Sequence, residues 1–166
     1  TKIDFSFHLR PLGDERLEVI WQSKFGFGNA VYQGANRYYL NNFYMSQHKV
    51  EVKGKNFFVR GYTTTEDGGK SYDMLFTGLN INRKWKDDKT WFGQYAGAFV
   101  QATLAGQTPE NAHIISRGVA DTGRFMPGTP EFQNAFNQVI NDPDVLTGSK
   151  LVDNSRIYHS DANYNF

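Results

Sequence analysis

The sequence predicts a mainly β chain: antiparallel strands of a partial transmembrane β-barrel, carrying a helical extracellular loop. Three observations predict it. Long stretches alternate apolar and polar residues with period two; the connections between them are tight at one end and long at the other; and the middle of the chain changes to helical periodicity. Composition agrees with this. Of 166 residues, 39% are hydrophobic and 16% aromatic, with 16 glycines, a balance that suits strands and polar loops better than a helical bundle.

The first strand is "IDFSFHL", which sets Ile3, Phe5, Phe7 and Leu9 against Asp4, Ser6 and His8. "RLEVIWQSKFGFGNAVYQ" follows, with Leu17, Val19, Trp21, Phe25, Phe27 and Val31 on one parity and Glu18, Gln22, Lys24, Gly26 and Gly28 on the other; Ile20 is the exception. Successive side chains of a strand point to opposite faces, so such alternation defines one apolar and one polar side. The run is about three times the modal strand of a soluble protein, and suits a tilted barrel strand with its extension beyond the bilayer. "FYMSQHKVEV" sets Tyr44, Val50 and Val52 against Gln47, Lys49 and Glu51, with Ser46 and His48 weakening its apolar side. "FFVRGYTTTE" sets Phe57, Val59, Gly61 and Thr63 against Arg60, Tyr62, Thr64 and Glu66. The polar parity carries charges of both signs, which fits a wet lumen better than a dry core.

"PLGDE" and "KGKN" read as tight turns, with Gly13 and Gly54 supplying positive φ. At the opposite ends lie "GANRYYLNN", read as a long outer loop, and everything after Thr65. From Ser71, read as a helix cap, Tyr72, Leu75, Phe76 and Leu79 follow at helical spacing. Trp91, Tyr95, Ala98, Phe99 and Ala102 form a second stripe. Thr108-Pro109-Glu110 and Thr129-Pro130-Glu131 are matched helix starts, each a capping hydroxyl, a proline at the first position and an acid in the first turn. The last helix continues through Phe132, Ala135, Phe136, Val139 and Ile140. Alternation resumes in "SRIYHSDANYNF". The expected organisation is therefore barrel strands and hairpins over 1–70, the helical loop over 71–154, and the start of the next strand over 155–166.

Several chemistries are disfavoured. Net charge is +1 with the signs interspersed, so no basic face points to nucleic acid. The lack of cysteine removes disulfides and thiolate catalysis. No apolar run approaches the roughly 18 residues of a membrane helix. A chain opening at Thr1 without a signal peptide is expected to be mature, trimmed or a fragment. The stretch "TTTEDGGKSYD" contains Gly-Lys-Ser, yet a phosphate loop needs a glycine where Thr64 stands, and Glu66 and Asp67 would repel the phosphates. His8, His48, His113 and His159 show no ligand spacing, and no nucleophile or carboxylate-pair motif appears. We expect no enzyme, no metal and no cofactor. Ligand handling is expected instead from Arg37, Tyr38, Tyr39, Asn41 and Asn42 on the outer loop and from Tyr62, Thr64, Glu66 and Asp67 near the rim. Their aromatic faces, amides and carboxylates suit sugars or peptides; the plainer account places the tyrosines in an interfacial girdle and the asparagines in turns.

A bilayer barrel needs at least eight strands, since every backbone group must be paired there, and at most five are legible. The stretch "SKFGFGNAVYQGANRYYLNNFYMSQHKVEVKGKNFFVRGYTTTEDGGKSYD" resembles the barrel of TonB-dependent outer-membrane receptors of the large nutrient-importing type. "RFMPGTPEFQNAFNQVI" followed by "NSRIYHSDANYNF" is similar to their long surface loop and returning strand. The resemblance implies an internal barrel segment of a plugged importer of about 22 strands in a bacterial outer membrane. As partners it implies outer-membrane lipid, the rest of the barrel and its plug, TonB through an N-terminal region, and in some receptors a surface lipoprotein. A soluble carbohydrate-binding β-domain with a helical insertion, and a passive outer-membrane porin or assembly subunit, remain the alternatives.

Overall fold

The structure, a computed structural model, describes residues 1–166. In chain order it runs β1 (Lys2–Leu9), β2 (Leu17–Gln33), β3 (Arg37–Gly54), β4 (Phe57–Asp67), β5 (Tyr72–Asp73), α1 (Met74–Trp85), α2 (Asp88–Leu104), α3 (Pro109–Ala120), α4 (Pro130–Val139) and β6 (Arg156–Tyr164). It divides into a sheet unit, Thr1–Tyr72 with Leu151–Phe166, and a helical unit, Asp73–Lys150. The chain is mainly antiparallel β with four helices, and no helix is long and apolar enough to cross a membrane.

The sheet unit is a meander. Its strands lie in the order β1-β2-β3-β4-β6, every pairing antiparallel, with β5 off that path, and the sheet does not close on itself. The register keeps one face mostly apolar and the other mostly polar across all five long strands. One face carries the row Leu9, Val19, Val52, Val59 and Ala162, and beside it Phe7, Trp21, Val50, Gly61 and Ser160. The other face carries His8, Ile20, Glu51, Arg60 and Asp161, beside it Ser6, Gln22, Lys49, Tyr62 and His159, and one row further Asp4, Lys24, Gln47, Thr64 and Ile157. A sheet folded in water hides its apolar face. Here Phe7, Trp21, Val50 and Val59 stay 58%, 47%, 52% and 53% exposed, while Glu18 on the polar face is only 6% exposed. Ile20, out of phase in the sequence, is buried on that polar face between His8 and Glu51.

The apolar face is interrupted by polar side chains toward its β3–β4 end, where Ser46 and Thr65 stand on it. Ser23, His48 and Thr63 stand in register on it, and Ser23 Oγ lies 2.9 Å from His48 Nδ1, so those two polar groups satisfy each other. Thr63 Oγ1 is buried without a partner.

"GANRYYLNN" differs from the long loop read from its sequence. Only 34–36 is outside the strands, and Arg37 through Asn42 continue β3 against β2. Tyrosines of high strand propensity pair there, Tyr38 opposite Tyr32 and Tyr39 opposite Val31. The register slips between Gly28 and Ala30, so that Asn41 and Asn42 together face Asn29, a β-bulge. Asn42 holds φ at 55°, a conformation asparagine tolerates better than most side chains, and its N–H donates to Asn29 Oδ1 at 2.7 Å.

The helical unit is stitched at its two ends. Asp73, not Ser71, caps α1: its carboxylate accepts from the Leu75 and Phe76 N–H groups. The Asp73 N–H donates to Ser149 O at 2.9 Å, and Thr77 Oγ1 lies 2.7 Å from Ser149 Oγ. Buried Asn80 donates through Nδ2 to Gly148 O at 2.7 Å and Val145 O at 3.2 Å. Ile81, Ala135 and Val139 form the core between α1 and α4, with Phe125, Phe132 and Phe136 packed against it. Thr108 and Thr129 cap α3 and α4 with proline next in line, as the sequence predicts. Helices α2 and α3 meet over the small buried side chains Ala102, Ala112 and Ala120.

Candidate functional site

The sequence-derived ligand residues fall into four groups. Arg37 and Tyr38 belong to the β2–β3 hairpin tip, beyond the end of β4: Arg37 Nε donates to Gln33 Oε1 at 3.0 Å, and the Tyr38 ring stacks on Tyr32 with centroids 6.2 Å apart. Tyr39 packs on Tyr72, and Asn41 is held through its backbone. Tyr62 and Thr64 lie on the polar face of β4; Tyr62 sits 4.9 Å from the His159 ring, and Thr64 Oγ1 accepts from Gln47 Nε2 at 3.3 Å. Glu66 and Asp67 end β4, where the Glu66 N–H donates to Ser155 O and Asp67 Oδ1 accepts from the Gly69 N–H.

Gly-Lys-Ser is explained by this geometry. Gly69 has φ 59° and bridges Asn41; the Lys70 N–H donates to Asn41 O at 2.8 Å, the Asn41 N–H donates to Ser71 Oγ at 3.0 Å, and Ser71 is fully buried. Those donors, which a phosphate loop turns toward its ligand, are spent on the protein's own chain, and the helix begins only after Asp73. A Cβ on Gly69 would lie 2.7 Å from Asn41 O. Gly69→Ala is therefore expected to cost about 2 kcal/mol, from the left-handed φ and the carbonyl contact together. Chemical denaturation checks it; a change under about 0.5 kcal/mol would show that the clamp bears no strain.

The polar face is more developed than the sequence suggests. Glu18 gathers Lys53 Nζ at 2.9 Å, His8 Nδ1 at 3.1 Å and Arg10 Nε at 3.5 Å. Lys49 pairs with Glu51 at 3.0 Å, Arg60 with Asp161 at 2.7 Å, and Lys24 with Asp4 at 3.5 Å. Alternating signs along the polar parity signalled ions on one face; which ions meet depends on strand register, which residue order alone does not give. The result is a face on which most charges are paired across or along the strands, with donors and acceptors of both signs side by side. No three His, Asp or Glu side chains are grouped so as to hold a metal ion.

Compared with protein-family models, with curated proteins and with solved structures, the chain matches none of them.

Proposed function

We propose that this chain is a wall segment of an outer-membrane, TonB-dependent receptor that imports a nutrient such as a glycan, peptide or chelate. The observation that carries the proposal is the arrangement of the two faces: an apolar side left about half exposed on five strands, and a polar side of paired charges. Lipid tails are the solvent that suits the first and a water-filled lumen suits the second. The unpaired outer edges of β1 and β6 would be completed by the rest of the barrel, which in this reading surrounds a plug moved by TonB. The helical unit then belongs to the extracellular side, where a surface lipoprotein could meet it. In this role the polar face guides solute and catalyses nothing.

Phase partition tests the proposal. The chain is expected to enter the detergent-rich phase and to bind lipid vesicles. Retention in detergent-free buffer as a stable monomer would favour a soluble carbohydrate-binding domain and overturn it.

A further inference from the structure

The helical unit contains a cleft that the importer reading does not use. Trp85 from the end of α1, Trp91 and Phe92 from α2, and Arg117 and Asp121 from α3 and its end surround a cavity of about 220 Å³, which Lys86, Asp88 and Arg124 also line. Trp91, Phe92 and Arg117 continue into a neighbouring groove of about 570 Å³ with Tyr95, His113 and Ile114. Phe92 lies where the two join and is 64% exposed, a bare ring between two recesses.

The polar lining is fixed in place before any ligand arrives. Asp121 accepts from Trp91 Nε1 at 2.8 Å and from Arg117 Nε at 2.8 Å, and the Arg117 guanidinium lies over the Trp91 ring at 5.8 Å. Burial pushes the Asp121 carboxyl up, but those two hydrogen bonds outweigh it and hold it below its ordinary value, so it stays an ionised acceptor. Asp88 is paired with Arg83 at 3.0 Å. Lys86 Nζ donates to Gln94 Oε1 and Ala120 O, neither of them a carboxylate. The Arg124 side chain lines the cleft near Asp121, and its charge helps to keep that carboxylate ionised. The lining thus has three cations, Lys86, Arg117 and Arg124, against two carboxylates, leaving one positive charge in excess beside the aromatic surface.

We propose that this cleft binds a carboxylated saccharide, of the uronic-acid type, in an extended pose across both recesses. A sugar ring would lie on Phe92, its hydroxyls would donate to Asp88 and Asp121, and its carboxylate would pair with Arg124. A phosphate brings nearly twice the negative charge of a carboxylate against Asp88 and Asp121, and a ligand without hydroxyls has nothing to donate to them, so a singly charged, hydroxyl-rich group suits this lining better. The inference is independent of the importer reading, because every residue involved belongs to 73–150.

The chain has three tryptophans, and two of them line the cleft. In the full-length chain carrying Trp21→Phe, fluorescence therefore reports the cleft alone. Titration with trigalacturonate is expected to give a saturable change, and its methyl-esterified, uncharged counterpart is expected to bind at least about tenfold more weakly. Arg124→Gln and Phe92→Ala, both at exposed positions, are each expected to weaken the acid about tenfold while leaving the helical circular dichroism unchanged. No saturable change, or equal binding of acid and ester, overturns the proposal even if either variant fails to fold. A chain that proves soluble in buffer but still binds the acid would sink the importer and leave this cleft standing.

Discussion

Replacing Asn80 with leucine is expected to destabilise the helical unit by about 3 kcal/mol, because it leaves two carbonyls of the 145–148 segment without donors. Asn80 is 1% exposed, and leucine keeps the same count and branching of side-chain heavy atoms, so no cavity forms; the loss comes from the unpaired carbonyls, with the bulkier methyl groups adding to it. For a unit of 78 residues, 73 through 150, that corresponds to a drop of roughly 12–24 °C in the helical melting transition. Gln138→Ala, on the exposed side of α4, is expected to stay within about 0.5 kcal/mol. The comparison is made by circular dichroism of the full chain in one buffer. If the two variants melt together, the bonds from Asn80 are not what ties α1 to the end of the unit, and the core of Ile81, Ala135 and Val139 holds it alone.

The strands and most helices were legible because their causes are local. Period-two alternation runs from Leu17 to Phe27 with only Ile20 and Ser23 out of phase, and the Thr-Pro-Glu starts of α3 and α4 carry the whole cap within four residues. The misreadings have non-local causes. Ser71 has the chemistry of a cap, but its hydroxyl is taken by the Asn41 N–H, 30 residues earlier in the chain, and Asp73 caps the helix instead. "GANRYYLNN" has the glycine and asparagines of a loop, yet a hairpin needs only 34–36, and the extra residue is absorbed by a bulge at Asn41 and Asn42.

Candidate ligand residues were less legible than the fold for the same reason. Chemistry-bearing types can be named from sequence, but convergence requires register. Tyr62 and Thr64 lie among the charges of the polar face, Arg37 and Tyr38 beyond the end of β4, and Asn41 serves as a backbone pin. The Trp85–Trp91–Arg124 cleft was hidden differently: of its lining only Leu79 and Trp91 fall in stripes that the sequence shows, and Trp85, Arg117, Asp121 and Arg124 meet them only once α1, α2 and α3 are packed.

The sharpest consequence of the barrel reading concerns Val50. It is 52% exposed, flanked by Trp21 and Gly61, and in water an arginine there would reach solvent at a cost within about 0.5 kcal/mol. Against lipid tails the same Val50→Arg change is expected to cost about 2–4 kcal/mol, since the charge must be carried at mid-membrane depth. Gln22→Arg is the matched control: it lies one residue away in β2 register but on the polar face, where Asp4 lies within reach, and less than about 1 kcal/mol of loss is expected. Urea unfolding of the assembled receptor in lipid vesicles measures both. Because the two substitutions add the same side chain to adjacent rows, any general penalty of arginine in a strand cancels in their difference. A large gap, with Val50 the costly site, requires a solvent on the apolar side that rejects charge. Equal small losses would mean that this side meets water, and the sheet would then need a different partner to cover Trp21, Val50 and Val59.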